Sequence, residues 1–182
     1  MNYRSPSALA MLTVLTVAAV VLFPSATSSA QSEPEMATTI DIPNARWVEN
    51  RLLLGGQPTE AQLTQAAELG FKQIINMRGV GEEGSMANEA ELVAELGMSY
   101  SAIPIASGED FSLENATLLA ELLRSDEKAI IHCASGNRVG ILFALKGYKL
   151  DGMDRDAAIK LGERYGMRSL PAVVNAALAE KP

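Results

Sequence analysis

Apolar residues in this chain form short runs that alternate with amphipathic segments, and the alternation predicts strands followed by helices. The clearest runs are 52–54, 74–75 and 129–131. Short apolar runs bounded by glycine or polar residues are typical of strands buried on both faces of a parallel sheet. A further strand is expected over 98–105. Three of its residues are predicted to share one face: Tyr100, Ile103 and Ile105.

Helices are predicted where apolar residues recur every three or four positions. The segments are 59–69, 87–96, 112–123, 139–150, 154–165 and 171–179. Thr59, Ser112 and Asp154 stand where N-cap residues belong, and Gly70 and Gly97 stand where helices end. The apolar stripe of the third helix is expected to lie in the core: Leu118, Leu119, Leu122 and Leu123. The alternation predicts an α/β fold, a single three-layer domain with a mostly parallel central sheet of four to five strands flanked by helices.

The N-terminal segment has the pattern of a secretory signal peptide. Arg4 precedes an uncharged apolar run over 8–23, and small residues follow at Ser28-Ser29-Ala30. The run is shorter than a membrane span requires, although a retained anchor is the alternative. We therefore predict a signal peptide over 1–30, export to the periplasm or beyond, and no stable membrane insertion after cleavage. A flexible tether is expected over 31–42 and the folded domain over 43–182, with packing beginning near Ile40.

The amino-acid composition limits the kinds of molecule and metal ion that this protein is expected to bind. The 22 acidic residues outnumber the 15 basic ones and give a net charge of -7, which argues against nucleic acid as a partner and favours a small anionic substrate. The chain has one cysteine and one histidine, so it can form no internal disulfide and lacks the usual ligands of a zinc site. We predict no metal and no cofactor. The pattern indicates no oligomeric state.

The only cysteine lies in the most informative stretch of the chain. Cys133 follows an apolar strand and begins a turn of small residues that ends at Arg138, where an amphipathic segment begins. Such a turn can direct successive backbone N–H groups at one point, and the following helix adds the positive end of its dipole. The turn is predicted to bind an oxyanion through Ala134, Ser135, Gly136, Asn137 and Arg138. Because a helix N-terminus and a nearby arginine favour a thiolate, Cys133 is predicted to be a nucleophile, with Arg138 as a two-point anion ligand.

The pattern His132-Cys133-x4-Arg138 resembles the cysteine-dependent phosphatase superfamily. Further segments are similar to its dual-specificity-like branch, in particular to the beta-lactamase-hydrolase-like phosphatase domain. They are Leu-Leu-Gly-Gly-Gln-Pro at 53–58, Gly-Phe-Lys-Gln-Ile-Ile-Asn-Met-Arg at 70–78, and Ile-Pro-Ile at 103–105. The resemblance covers about 40–150, and the segments agree in order and spacing.

The resemblance implies a phosphatase-like fold and hydrolysis of a phosphate monoester through a phosphocysteine at Cys133. It implies that Asp110, or its neighbour Glu109, protonates the leaving group. His132 is expected to support the thiolate rather than to move protons. At the end of a strand that faces the same rim, Arg78 is a candidate for a second contact to the anion. The alternatives are that it caps a helix or pairs with Glu82 or Glu83.

Three features depart from the superfamily pattern. The four residues between Cys133 and Arg138 are one fewer than usual. Val139 replaces the serine or threonine that helps to discharge the phosphocysteine, and Ser107 stands where the acidic residue is expected. Two alternatives therefore stay open, a rhodanese-like sulfurtransferase that forms a persulfide at Cys133 and a non-catalytic module that binds an anion or a partner.

Overall fold

The computed structural model describes residues 39–179, and the predicted signal peptide lies outside them. Its strands are β1 (Arg46–Val48), β2 (Leu52–Gly55), β3 (Gln73–Asn76), β4 (Ser99–Ala102) and β5 (Ala129–His132). Its helices are α1 (Glu60–Glu68), α2 (Glu89–Glu95), α3 (Leu113–Leu122), α4 (Asn137–Lys149), α5 (Arg155–Arg164) and α6 (Ala172–Ala177). A short 3-10 turn covers Gly108–Asp110. The predicted alternation of strands and helices is confirmed.

The five strands form one sheet in the order β1-β2-β5-β3-β4. Only β1 runs antiparallel to its neighbour, and β5 lies in the middle, paired in parallel with β2 and β3. The turn that follows β5 therefore emerges at the carboxyl edge of the sheet, where α/β proteins place their ligands. The sequence pattern did not indicate β1 as a separate strand. Glu49 and Asn50 turn it into β2 with φ angles of 54° and 55°.

Side chains of the buried strands alternate between the two faces of the sheet, and each face is covered by helices. Leu53, Ile74 and Ile130 pack on one face with buried residues of α1 and α2. The opposite face carries Ile75 and Ile131, packed with buried residues of α3 to α6. This arrangement is the predicted three-layer domain.

Most helix caps agree with the sequence. Thr59 begins α1 with a capping box, since its Oγ1 accepts from the N–H of Gln62 (3.3 Å) and its own N–H donates to Gln62 Oε1 (2.8 Å). Ser112 and Asp154 cap α3 and α5 through their side-chain oxygens, which accept from the N–H groups of Asn115 (3.2 Å) and Ala157 (2.8 Å). Gly70 has the left-handed conformation expected after a helix, with φ of 80°. No helix between residues 39 and 179 is long and apolar enough to cross a membrane.

Three expectations about packing are wrong. Tyr100 packs on the α1 and α2 face, whereas Ile103 and Ile105 belong to the opposite cluster, because strand side chains alternate with a period of two. Leu118 is 37% exposed and is not part of the core. The end predicted for the tether, residue 42, is too late, because Ile40 and Ile42 are buried; packing that begins near Ile40 is confirmed.

Candidate active site

Cys133 lies at the carboxyl end of the central strand. Its backbone N–H donates to the carbonyl of Gly55 at 3.2 Å, which continues the pairing with β2 for one residue. The side chain is buried, and Sγ accepts a hydrogen bond from the N–H of Gly136 at 3.1 Å. The turn therefore directs one backbone N–H at the sulfur.

Gly136 gives the turn its shape. Its φ of 87° lies in the left-handed region, which a glycine adopts without strain. A Cβ at this position would lie 3.4 Å from the backbone of Gly55, so the turn also packs tightly against β2. As the residue before α4, Gly136 offers no side chain to the first N–H groups of that helix. These groups are therefore donors suited to an anion.

Arg138 extends from the first turn of α4 toward the thiol and toward a neighbouring loop. Its Nη1 and Nη2 bind the two carboxylate oxygens of Glu82 at 2.6 and 2.7 Å, and Nη1 also donates to the carbonyl of Ile105 at 2.8 Å. The Glu82 carboxylate and, less strongly, the neighbouring Cys133 side chain raise the pKa of Arg138. The structure thus brings together the nucleophile and the anion ligand predicted from the sequence.

The sequence analysis offered Glu82 as a partner of Arg78, which the structure confirms, but missed its contact with Arg138. Oε1 of its carboxylate also faces Nε of Arg78 at 3.1 Å, and Oε2 accepts from the N–H of Gly79 at 3.0 Å. The hydrogen bonds from Arg138, above all, lower the pKa of Glu82 to about 2. Its position in a loop with three glycines and a neighbouring glutamate gave no signal of this role, because only the folded loop brings it to Arg138.

Arg78 is buried and does not reach the thiol directly. Its guanidinium donates to Gln57 Oε1 at 3.2 Å, to the carbonyl of Gly84 at 2.8 Å and to the carbonyl of Glu83. It is connected to Arg138 only through the carboxylate of Glu82. Its contacts hold the 79–85 loop beside the turn, while its predicted role as an anion contact stays a prediction.

Asp110 closes the 3-10 turn that precedes α3. Its Oδ2 accepts from the N–H groups of Ala106 (2.9 Å) and Ser107 (2.7 Å) and from the Ser107 hydroxyl (3.1 Å). These hydrogen bonds, chiefly those from Ser107, lower the pKa of Asp110. The carboxyl group is thereby held as an acceptor in this conformation. Proton donation by Asp110 stays a prediction, as does the substitute role of exposed Glu109.

His132 and Glu89 form a buried pair beneath the turn. His132 Nε2 lies 3.2 Å from Glu89 Oε1, and both side chains are almost completely inaccessible to solvent. Glu89 also accepts from Gln57 Nε2 at 2.7 Å and from Asn76 Nδ2 at 2.6 Å. Burial, with Glu89 nearby, raises the pKa of Tyr100, whose hydroxyl accepts from Asn76. This network surrounds the end of β5, and the supporting role of His132 toward the thiolate stays a prediction.

The remaining turn residues contribute in different ways. Ala134 is exposed, and Ser135 forms an isolated bridge with Gly56. The side-chain Oδ1 of Asn137 accepts from the N–H groups of Arg168 (2.6 Å) and Ser169 (3.0 Å), while anion binding by its backbone N–H stays a prediction. Within residues 39–179 no group of three or more acidic, histidine or cysteine side chains is placed to hold a metal ion.

The parallel sheet, the turn after its central strand, and the pairing of Cys133 with Arg138 define a protein with the cysteine-dependent phosphatase fold. The chain belongs to the family described as "Beta-lactamase hydrolase-like protein, phosphatase-like domain", whose model matches residues 44–149. The superfamily predicted from the sequence is confirmed.

Relatives and solved structures agree with this assignment. The Beta-lactamase hydrolase-like protein of Xylella fastidiosa (strain Temecula1) is 30% identical over 123 residues, which cover 65% of this chain and 28% of that relative. Among solved structures, Tk-PTP in its active form has a TM-score of 0.58 and 21% identity, covering 77% of this chain and 99% of its own. TpbA of P. aeruginosa, solved in complex with pTyr, has a TM-score of 0.52 and 14% identity, covering 75% and 89%. The chain thus spans about a quarter of the curated relative, and the structures share its fold.

Proposed function

We propose that this protein is an exported cysteine-dependent phosphatase that hydrolyses a phosphate monoester through a phosphocysteine intermediate. The observation that carries the proposal is the convergence of two donors on one sulfur. The Gly136 N–H and the Arg138 guanidinium both lie beside Cys133 Sγ, at the carboxyl edge of the sheet. A phosphoryl group attacked by the thiolate would meet these donors with its oxygens.

The reaction has two steps. In the first, the Cys133 thiolate forms an S–P bond while the P–O bond to the alcohol or phenol breaks, and the leaving oxygen takes a proton from Asp110. In the second, water attacks phosphorus, the S–P bond breaks, and phosphate and the thiolate are released, with Asp110 accepting the proton from the water. Arg138 and the turn residues bind the phosphoryl oxygens in both steps.

The size of the anion site and the net charge of the protein support a class of substrate. The donors at the turn suit one compact anion, and the net charge of -7 disfavours a large polyanion. A structural neighbour, TpbA, has been solved with phosphotyrosine, which supports an aryl phosphate as the first probe. The leader pattern at 1–30 supports export.

Turnover of p-nitrophenyl phosphate and of a phosphotyrosine peptide by the purified protein tests the activity. We expect phosphate release that is abolished by Cys133→Ser and reduced roughly 10²- to 10³-fold by Arg138→Lys, which keeps the charge but loses the two-point geometry. Phosphate release unaffected by Cys133→Ser would overturn the proposal. Thiocyanate formation from thiosulfate and cyanide, without phosphate release, would assign the site to sulfur transfer instead.

Fractionation of cells that express the full chain tests export. We expect a periplasmic or secreted protein whose mass corresponds to a start near Gln31. A full-length product in the membrane or cytoplasm would contradict this part of the proposal without affecting the chemistry.

A further inference from the structure

One peptide group of the turn forms hydrogen bonds through both its N–H and its C=O. The N–H of the peptide between Ser135 and Gly136 donates to Cys133 Sγ at 3.1 Å. Its carbonyl, on Ser135, accepts from Arg168 Nη2 at 2.9 Å and from Asn44 Nδ2 at 3.2 Å. The thiol and a distant arginine are therefore connected through a single planar unit.

Because the peptide group is planar, its two sets of hydrogen bonds depend on each other. In a trans peptide the C=O and N–H bonds point in opposite directions, so a group that fixes the oxygen also fixes the direction of the N–H. Hydrogen bonds in series also polarise one another, and a cationic donor at the carbonyl makes the N–H a stronger donor to sulfur. Arg168 can thus favour the thiolate without touching it.

Arg168 is itself held in place by the turn. Its backbone N–H donates to Asn137 Oδ1 at 2.6 Å, and its Nη1 donates to Asn44 Oδ1 at 3.0 Å. Asn44 therefore bonds both Arg168 and the Ser135 carbonyl. These contacts close a ring of hydrogen bonds around the outer side of the turn, as required of a residue that orients one peptide.

Other ionisable groups lie near the thiol or line the small cavity behind the turn. Arg138 contacts Cys133, and His132, with Glu89 beside it, precedes the nucleophile. Arg46, Tyr165 and Arg168 line the cavity behind the turn, and the Tyr165 hydroxyl donates to Glu49. Arg168 differs from the others in its bond to the peptide that donates to sulfur. It lies outside the 44–149 segment that the family model matches.

We propose that Arg168 is a positioning residue that, together with Asn44, holds the Ser135 carbonyl so that the Gly136 N–H faces the sulfur of Cys133. The proposal rests on the proposed function only in assigning Cys133 as the nucleophile. It predicts that removal of the Arg168 guanidinium makes the thiolate harder to form.

Absorbance at 240 nm, which reports thiolate formation, measures this effect without substrate. The chain has a single cysteine, so subtraction of the Cys133→Ser spectrum isolates the signal of Cys133. We expect Arg168→Met to move the midpoint of the thiolate titration upward by roughly one pH unit, the size of one lost charge-assisted hydrogen bond. Arg168→Lys should restore part of the shift.

Two further variants make the test specific. Arg164→Met removes a positive charge from the exposed end of α5, where no hydrogen bond to the turn involves its side chain, and should leave the midpoint unchanged. Asn44→Gly removes the second donor at a position whose φ of 56° suits glycine, so it should fold and shift the midpoint in the same direction as Arg168→Met.

The outcomes separate this proposal from the phosphatase proposal. An upward shift in Arg168→Met and Asn44→Gly, but not in Arg164→Met, supports the positioning role even if no phosphate is released. An unchanged midpoint with a lowered melting temperature would reduce Arg168 to a structural residue and overturn the proposal. Equal shifts in Arg168→Met and Arg164→Met would also overturn it, because they would show an effect of net charge alone.

Discussion

The carboxylate of Glu82 binds the guanidinium of Arg138 at two points, with distances of 2.6 and 2.7 Å. The side chain of Glu82 is 27% exposed and that of Arg138 is 20% exposed, so the pair is largely protected from solvent. The Glu82 carboxylate therefore already occupies the edge of the Arg138 guanidinium that a phosphoryl group would bind. Two predictions concern this pair.

The first is a pH dependence of stability. The pKa of Glu82 is lowered from 4.5 to about 2, so its contribution to folding is complete above about pH 4.5 and is lost as the pH falls toward 2. After allowance for solvent screening, we expect the loss to be on the order of 1 to 2 kcal/mol. Urea unfolding at pH 7 and pH 3 should show a smaller difference for Glu82→Gln than for the wild type. Equal differences would show that the pair does not contribute.

The second is a change in anion affinity. Because an incoming oxyanion must share or replace the Glu82 carboxylate, Glu82→Gln should bind inorganic phosphate or vanadate more tightly, by about 3- to 10-fold for a gain of roughly 1 kcal/mol. Calorimetric titration measures it, with Glu83→Gln as the control in the same loop. Weaker binding by Glu82→Gln would indicate instead that Glu82 orients Arg138 for the anion.

Asp110→Asn tests the proton donor. Asparagine keeps an oxygen that can accept from Ser107, so the 3-10 turn should persist, while the proton is lost. We expect kcat/KM for a phosphotyrosine peptide to fall about 10²-fold and that for p-nitrophenyl phosphate, with its better leaving group, to fall much less. Because the pKa of Asp110 is lowered, its carboxyl group is protonated only at a more acidic pH than an ordinary aspartate, and the wild-type rate on phosphotyrosine should rise as the pH falls toward that range.

Glu109→Gln provides the matched control, since Glu109 is the exposed neighbour of Asp110. Its rates should equal those of the wild type. If Glu109→Gln instead loses activity on phosphotyrosine and Asp110→Asn does not, the proton donor is Glu109.

The valine at position 139 leads us to expect slow hydrolysis of the proposed phosphocysteine. The side chain follows Arg138 and is fully buried, so it supplies no hydroxyl to the phosphocysteine. We expect a burst of p-nitrophenol equal to the enzyme concentration, followed by a slower steady rate. Val139→Thr should increase the steady rate at a cost in stability of about 1 to 2 kcal/mol for the buried hydroxyl. A linear time course without a burst would show that discharge is not rate-limiting.

The buried contacts of Glu89 predict a large loss of folding stability when this residue is replaced. Its carboxylate accepts from Gln57 and Asn76 and lies beside His132, all away from solvent. Glu89→Ala would leave these groups without their partner, and we expect a loss of about 3 kcal/mol in the free energy of unfolding. Glu91→Ala, on the same helix but exposed, should change it by less than about 0.5 kcal/mol. Similar losses for both variants would contradict the role given to the buried network.

The contrast between Cys133 and Glu82 shows which site residues can be found without a structure. Cys133, Arg138 and the glycine between them lie within one turn, so their spacing alone places them together. Glu82 reaches Arg138 across 56 positions, and Arg168 reaches Ser135 across 33. Such pairs depend on how separate loops meet at the carboxyl edge of the sheet. A local sequence pattern does not indicate these contacts.

The sequence by itself determined the alternation of strands and helices, most of the caps, the α/β class and the position of the turn that begins at Cys133. These features follow from hydrophobic period, from capping side chains such as Thr59 and from glycine at Gly136, all of which act over a few residues. The tertiary structure alone decided the strand order, the face on which Tyr100 packs and the partners of Arg138 and Arg168. Those are decided by which distant segments of the chain come together in the fold, because side chains such as Arg138 and Arg168 bond to groups that lie far away in the sequence.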